Sequence, residues 1–154
     1  MAIDPGYDRL GMAVVEGDSS RPTLVWSDCV VPPKGVRELR LARVYSETAA
    51  AIEQFVPDVL AIETLFFSTN VKTALGVAEA RGAILAAAGG ARIPVVEHSP
   101  QSVKLAVTGN GRADKAAVAR MVPRVIVLSA KKRVDDELDA IALGIAALSS
   151  RALH

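Results

Sequence analysis

Four carboxylates stand where a lone charge is costly. Asp4 follows Met1-Ala2-Ile3, and Glu63 follows Val59-Leu60-Ala61-Ile62. Asp136 and Asp139 open a run that is otherwise apolar from Leu138 to Leu148. Acids left alone in such surroundings shift their pKa or become neutral. Several brought together can instead hold hard divalent cations; magnesium takes a few carboxylates and keeps waters. Two such ions about 4 Å apart can activate a water and stabilise the leaving oxygen of a phosphodiester. Asp136 and Asp139, spaced i and i+3, share one helix face. No neighbouring Ser/His pair or Cys cluster offers rival chemistry. Taken singly, each acid has a plainer role. Asp-Pro-Gly forms turns, and acids in a first helical turn serve the helix dipole. Their joint placement favours a catalytic site.

Those carboxylates need elements to position them. Apolar stretches at 1–3, 11–16 and 23–31 are separated by the turn signals Asp4-Pro5-Gly6 and Glu16-Gly17-Asp18-Ser19-Ser20, which predicts three antiparallel strands. Residues 36–55 show helical periodicity up to Pro57. Residues 59–62 read as a buried strand, 69–89 as an Ala-rich helix ended by Gly89-Gly90, and 93–96 as a fifth strand. Helices follow at 99–107, 113–121 and 136–150. Pro123 is expected to interrupt this region, leaving 122–134 unassigned. The order predicts an α/β fold: a mixed five-stranded sheet, three antiparallel strands plus two parallel ones, flanked by helices. One domain over 1–154 is expected. Ligands in such sheets sit beyond strand carboxyl ends, where Asp4 and Glu63 lie.

The composition sets the limits. Of 154 residues, 51% are hydrophobic and only 4% aromatic, so the core must be Val, Leu, Ile and Ala. The single cysteine, Cys29, rules out an intrachain disulfide and a Cys-based zinc site; it is expected to be a buried small hydrophobe in a reduced, cytoplasmic setting. No basic-then-apolar leader is visible, and no apolar run approaches the ~20 residues of a membrane helix. Charge is unevenly spread. Residues 100–133 hold eight Lys/Arg against one acid, Asp114, for a net +7, while 1–99 and 134–154 each carry −3. A nearly neutral chain therefore has a basic sector beside an acidic one.

Further residues go beyond pattern. Ile3-Asp4-Pro5-Gly6 and Gly11 come first, then Pro57-Asp58 and Ala61-Ile62-Glu63 with Phe66 and Asn70. Ala80-Arg81-Gly82 follows, then Val103-Lys104, Thr108-Gly109-Asn110-Gly111 and Lys115, and finally Asp136-Glu137-Leu138-Asp139-Ala140-Ile141-Ala142. In this order, from about residue 3 to residue 148, the series resembles the RuvC family of Holliday junction resolvases, the crossover junction endodeoxyribonucleases. The resemblance implies an RNase H-like fold and a homodimer that binds four-way junction DNA during recombination and repair. It implies paired, Mg²⁺-dependent nicks, with two ions per site and Mn²⁺ as a substitute, and work beside the RuvA and RuvB branch-migration proteins. By position, Asp4, Glu63, Asp136 and Asp139 match the family's catalytic metal ligands. Asp4 would bridge both ions, with Glu63 and Asp136 or Asp139 completing them. Lys104 and Lys115 match basic residues near the scissile DNA, Phe66 matches an aromatic at the junction-facing loop, Asn70 is expected to contact DNA, and helix 69–89 matches the dimer element. Glu137 and Leu138 stand where the family usually has small residues.

Beside that resemblance, Gly109 and Arg112 lie in a loop ahead of a helix. Glycine lets backbone approach phosphate and a helix start favours anions, so Gly109, Arg112 and Lys115 are expected to contact DNA in a salt-dependent way. Phe67 is expected to pack, His98 to be structural, and Arg37, Arg40 and Arg43 to form a solvated helix face. Lys131-Lys132-Arg133 either contacts DNA or keeps a loop soluble. Two other readings of the carboxylates remain: an RNase H-like nuclease for RNA or RNA–DNA hybrid, and a non-catalytic junction-binding module.

Overall fold

A computed structural model describes residues 1–6, 8–65 and 71–151. The elements run β1 (Ala2–Pro5), β2 (Leu10–Asp18), β3 (Arg21–Val30), α1 (Arg37–Phe55), β4 (Leu60–Glu63), α2 (Val71–Gly90), β5 (Val95–His98), α3 (Pro100–Thr108), α4 (Lys115–Val125) and α5 (Asp135–Arg151). The strands form one sheet in the order β3-β2-β1-β4-β5. β1, β2 and β3 pair antiparallel, while β4 pairs parallel with both β1 and β5. The predicted mixed sheet and its element order are what the chain forms, including β1, which is short but paired on both edges.

Strand alternation divides the core. Ile3, Met12, Val14, Leu60 and Ile62 point to the face covered by α1 and α2, where they meet Val44, Ile52, Ala80 and Ile84. The opposite face carries Ala2, Ala13 and Ala61 beneath α5, with Val103 and Val107 of α3 and Val118 and Val122 of α4 around it. Those three alanines have little depth, so α5 lies close on the sheet. Gly144 of α5 completes the fit, since an added Cβ there would stand 2.7 Å from Val15 Cγ2 and 3.6 Å from the Ala2 methyl.

Several local expectations change. α2 ends on the Gly89-Gly90 pair, as expected, with both glycines still helical. In the turn that follows, Arg92 and not a glycine takes the left-handed φ, 58°. Ile93 N–H then donates to Ala88 C=O and Arg92 N–H to Gly89 C=O, which satisfies the last carbonyls. The fifth strand consequently starts at Val95, not at residue 93. Pro123 does not interrupt α4. It sits in the last helical turn between buried Val122 and Ile126, where few helical hydrogen bonds remain to be lost. Cys29 is only half-buried, because β3 is an edge strand with one face toward water. Arg40 does not belong to a solvated face: it is 8% exposed and pairs with Asp8 at 3.1 Å. Among the described residues, no helix is long and apolar enough to cross a membrane.

Candidate active site

The alternation that sorts the core also aims the acids. Asp4 has the parity of Ala2, and Glu63 that of Ala61, so both face α5. Ala2 pairs with Ala61 and Ile3 with Ile62 in the parallel β1–β4 ladder, so one step on brings Asp4 beside Glu63. The first turn of α5 supplies Asp136 and Asp139 to the same end of the sheet. Its approach depends on Gly11, which pairs with Asp4 across the β1–β2 ladder. A Cβ at Gly11 would overlap the Asp136 carbonyl, backbone against backbone. Gly11→Ala is expected to push β2 and α5 apart at a stability cost of roughly 1–3 kcal/mol, as overpacked sites do. Thermal denaturation checks this, and a wild-type melting temperature would refute the close approach.

The four acids form one electrostatic cluster. Burial raises the Asp4 carboxyl from its ordinary 3.8 to about 7, and the charges of Asp139, Glu63 and Asp136 push in the same direction. Glu63 is also raised, chiefly by burial and then by Asp139, against the opposing charges of Lys104 and Lys115. The cluster stops short of a ligating cage: among the described residues, no three acidic, His or Cys groups are close enough to hold a metal ion. Cationic side chains pair with two of the acids. Lys115 Nζ meets Asp139 Oδ2 at 2.8 Å, and Arg9 reaches Asp136 Oδ2 at 3.5 Å. The contact with Asp139 raises the Lys115 ammonium. Lys104, Lys115, Glu63 and Asp139 together line a cavity of about 240 Å³. Four carboxylates at one strand end, one of them protonated near neutrality through burial and repulsion, are a donor set that fits a hard divalent cation.

The profile of the family described as crossover junction endodeoxyribonuclease RuvC matches residues 1–147. The chain belongs to the RuvC family. It is 41% identical over 154 residues to the crossover junction endodeoxyribonuclease RuvC of Thermotoga petrophila, covering 99% of this chain and 93% of that one. The Moorella thermoacetica RuvC is 42% identical over 146 residues, covering 94% and 87%. Thermus thermophilus RuvC, solved in complex with a Holliday junction substrate, superposes with a TM-score of 0.90 at 31% identity, covering 98% of this chain and 93% of that one. The chain therefore has the RNase H-like fold of RuvC and is a nuclease of that family.

The structure brings together Asp4, Glu63, Asp136, Asp139, Lys104 and Lys115. Gly109 and Arg112 lie apart from them. Gly109 takes φ 73° and caps α3, its N–H donating to Leu105 C=O. Phe66, Phe67 and Asn70 lie outside the described residues. His98 is buried, as a structural residue would be, and burial lowers its imidazole. Its Nε2 has no hydrogen-bond partner among the described residues.

Two residues of the site region, Arg81 and Glu137, carry roles that the sequence did not assign. Arg81, buried in α2, donates to the Glu63 carbonyl at 2.7 Å and pairs with Glu97 at 2.6 Å. It thereby fixes the backbone that carries Glu63. An Arg inside an Ala-rich apolar helix was the available signal. The second is Glu137, only 2% exposed. Its Oε1 accepts from Ser27 Oγ at 2.6 Å and from Lys131 Nζ at 3.0 Å, and lies 3.3 Å from Arg133 Nε. Lys131 and Arg133 therefore neither merely solubilise a loop nor stand free for DNA. They fold 126–134 back onto β3 and onto the start of α5. Arg133 extends the network to Ser129, donating to its carbonyl and its hydroxyl at 3.1 and 3.0 Å.

Proposed function

We propose that Asp4, Glu63, Asp136 and Asp139 are the catalytic metal ligands with which this chain resolves four-way DNA junctions by paired nicks. RuvC nucleases depend on divalent metal, and two Mg²⁺ ions per site, replaceable by Mn²⁺, would satisfy four carboxylates. When bound, such ions place positive charge at the scissile phosphate and supply a water of lowered pKa. The chain's own residues do the rest. Asp4, its ionisation held back by burial and by three neighbouring acids, would become fully anionic once that repulsion is offset. Lys104 and Lys115 border the same cavity and place fixed cations beside the phosphate, where charge builds in the transition state. Lys115 already sits on Asp139, so the side chain that pairs with an acid at rest is within reach of the DNA anion. Arg81 keeps the Glu63 backbone from moving during this exchange.

Phe66, Asn70, Gly109 and Arg112 would contact the DNA around the cut. A homodimer would present two such sites to one junction. Leu39 of α1 and Leu75 of α2 are exposed and would give its interface apolar side chains. The RuvA–RuvB branch-migration complex would deliver the substrate, in the cytoplasm, with 1–154 acting as a single nuclease domain. The observation carrying this reading is the convergence of the other three acids on Asp4. A four-way junction, its matched duplex and an RNA–DNA hybrid offered together with Mg²⁺ test it. Symmetric nicks in the junction alone, abolished by EDTA, are expected. Preferential cutting of the hybrid, or tight junction binding without metal-dependent nicks, would overturn it.

A further inference from the structure

One strongly basic surface runs from Arg112 away from the cutting site. Ala113 precedes α4, and Ala117, Arg120 and Arg124 follow at intervals of three and four residues, so they share one face. The other side of the helix is spoken for: Val118 and Val122 are buried against α5. The small side chains of Ala113 and Ala117 let the surface sink between Arg112 on one side and Arg120 and Arg124 on the other. The result is an open groove of about 510 Å³. All three arginines are exposed, and among the described residues no carboxylate pairs with their guanidinium groups. The one acid in the groove, Asp114, is committed as the α4 N-cap, its Oδ1 accepting from Ala117 N–H at 2.6 Å. A concave surface with three arginines against one acid suits a polyanion. Lys115, at the start of the same helix, reaches Asp139, so groove and cutting site are continuous along α4.

We propose that this groove binds the phosphodiester backbone of a junction arm outside the cutting site, with Arg120 and Arg124 as phosphate contacts. It rests on the reading of the chain as a DNA-cutting enzyme. Each neutralised phosphate steepens the fall of log affinity with log salt by about 0.9.

The full chain is titrated with a labelled four-way junction in EDTA from 50 to 200 mM salt. Arg120→Ala/Arg124→Ala should flatten the salt slope by roughly 1.8 and weaken binding by about tenfold at the lower salt. The rate of cutting at saturating junction with Mg²⁺, and the melting temperature, should not change. Arg120→Lys/Arg124→Lys should recover the slope, because a point charge still meets phosphate. An alanine pair with wild-type slope and affinity overturns the groove, whether or not the chain cuts DNA. So does an alanine pair that loses cutting rate at saturating junction with its slope intact. If the slope flattens while wild type cuts no junction, the groove stands and the nuclease reading falls. A wild type that binds no junction overturns both, leaving the groove to an acidic protein surface.

Discussion

Asp4→Asn is expected to stabilise the metal-free protein above pH 7 while abolishing junction cutting. The native Asp4 carboxyl holds its proton to about 7, whereas in the unfolded chain it releases it near 3.8. Between those values the folded state binds more protons than the unfolded one, so stability falls as pH rises, then levels off above 7. A rise from 3.8 to about 7 corresponds to about 4 kcal/mol at most. Glu63, also raised, acts in the same direction. His98, lowered by burial, acts in the opposite one, its neutral form favouring the fold as pH climbs through its ordinary 6.5. Comparing wild type with Asp4→Asn cancels the histidine. Asparagine carries no charge to bury, so its melting temperature in EDTA at pH 8 should exceed wild type by roughly 5–10 °C, at 2–4 °C per kcal/mol. Added Mg²⁺ should raise wild type and leave the variant almost unmoved. Losing several kcal/mol of transition-state stabilisation would lower the cutting rate roughly a thousandfold. A variant less stable than wild type in EDTA at pH 8, or one that still cuts, would sink the assignment of Asp4.

Glu137→Ala carries the second large effect. Removing the carboxylate leaves the nearly buried Arg133 guanidinium, with 7% of its side-chain surface exposed, without its anion. Breaking such a pair from one side costs about 3–5 kcal/mol. A melting temperature lower by roughly 10 °C follows. Glu137→Gln keeps an acceptor for the Ser27 hydroxyl and should lose less. Because Glu137 lies between Asp136 and Asp139 and ties their helical turn to β3, the glutamine variant should also need more Mg²⁺ for half-maximal cutting, by about 10–100-fold. An alanine variant melting within 1–2 °C of wild type would show that the network contributes little.

Much of the site was legible in one dimension. Strand period two gives Asp4 the parity of Ala2 and Glu63 that of Ala61, and the i, i+3 spacing places Asp136 and Asp139 on one helix face. Both regularities belong to local backbone geometry, which neighbouring residues set. Less visible was how segments end. The glycine pair marked the end of α2, but Arg92 and not a glycine takes the left-handed turn after it, and Pro123 was tolerated because α4 has only two residues left after it. Terminal turns are decided by a few hydrogen bonds that compete closely, so composition alone predicts them poorly.

The sequence by itself determined the four carboxylates, the element order, the mixed sheet and the family. Only the tertiary structure decided which charges serve the fold. Within Asp135-Asp136-Glu137-Leu138-Asp139, nothing in the spacing marks Glu137 as the buried acid. It is identified by Ser27, 110 residues away, and by two basic residues that read as a loop's solvated charges. Arg40, Arg81 and Gly11 took their roles in the same way, from what the sheet order and the depth of packing set against them. Periodicity says which face a side chain takes; the partner waiting there comes from distant chain, and the energy of a buried charge depends on that partner.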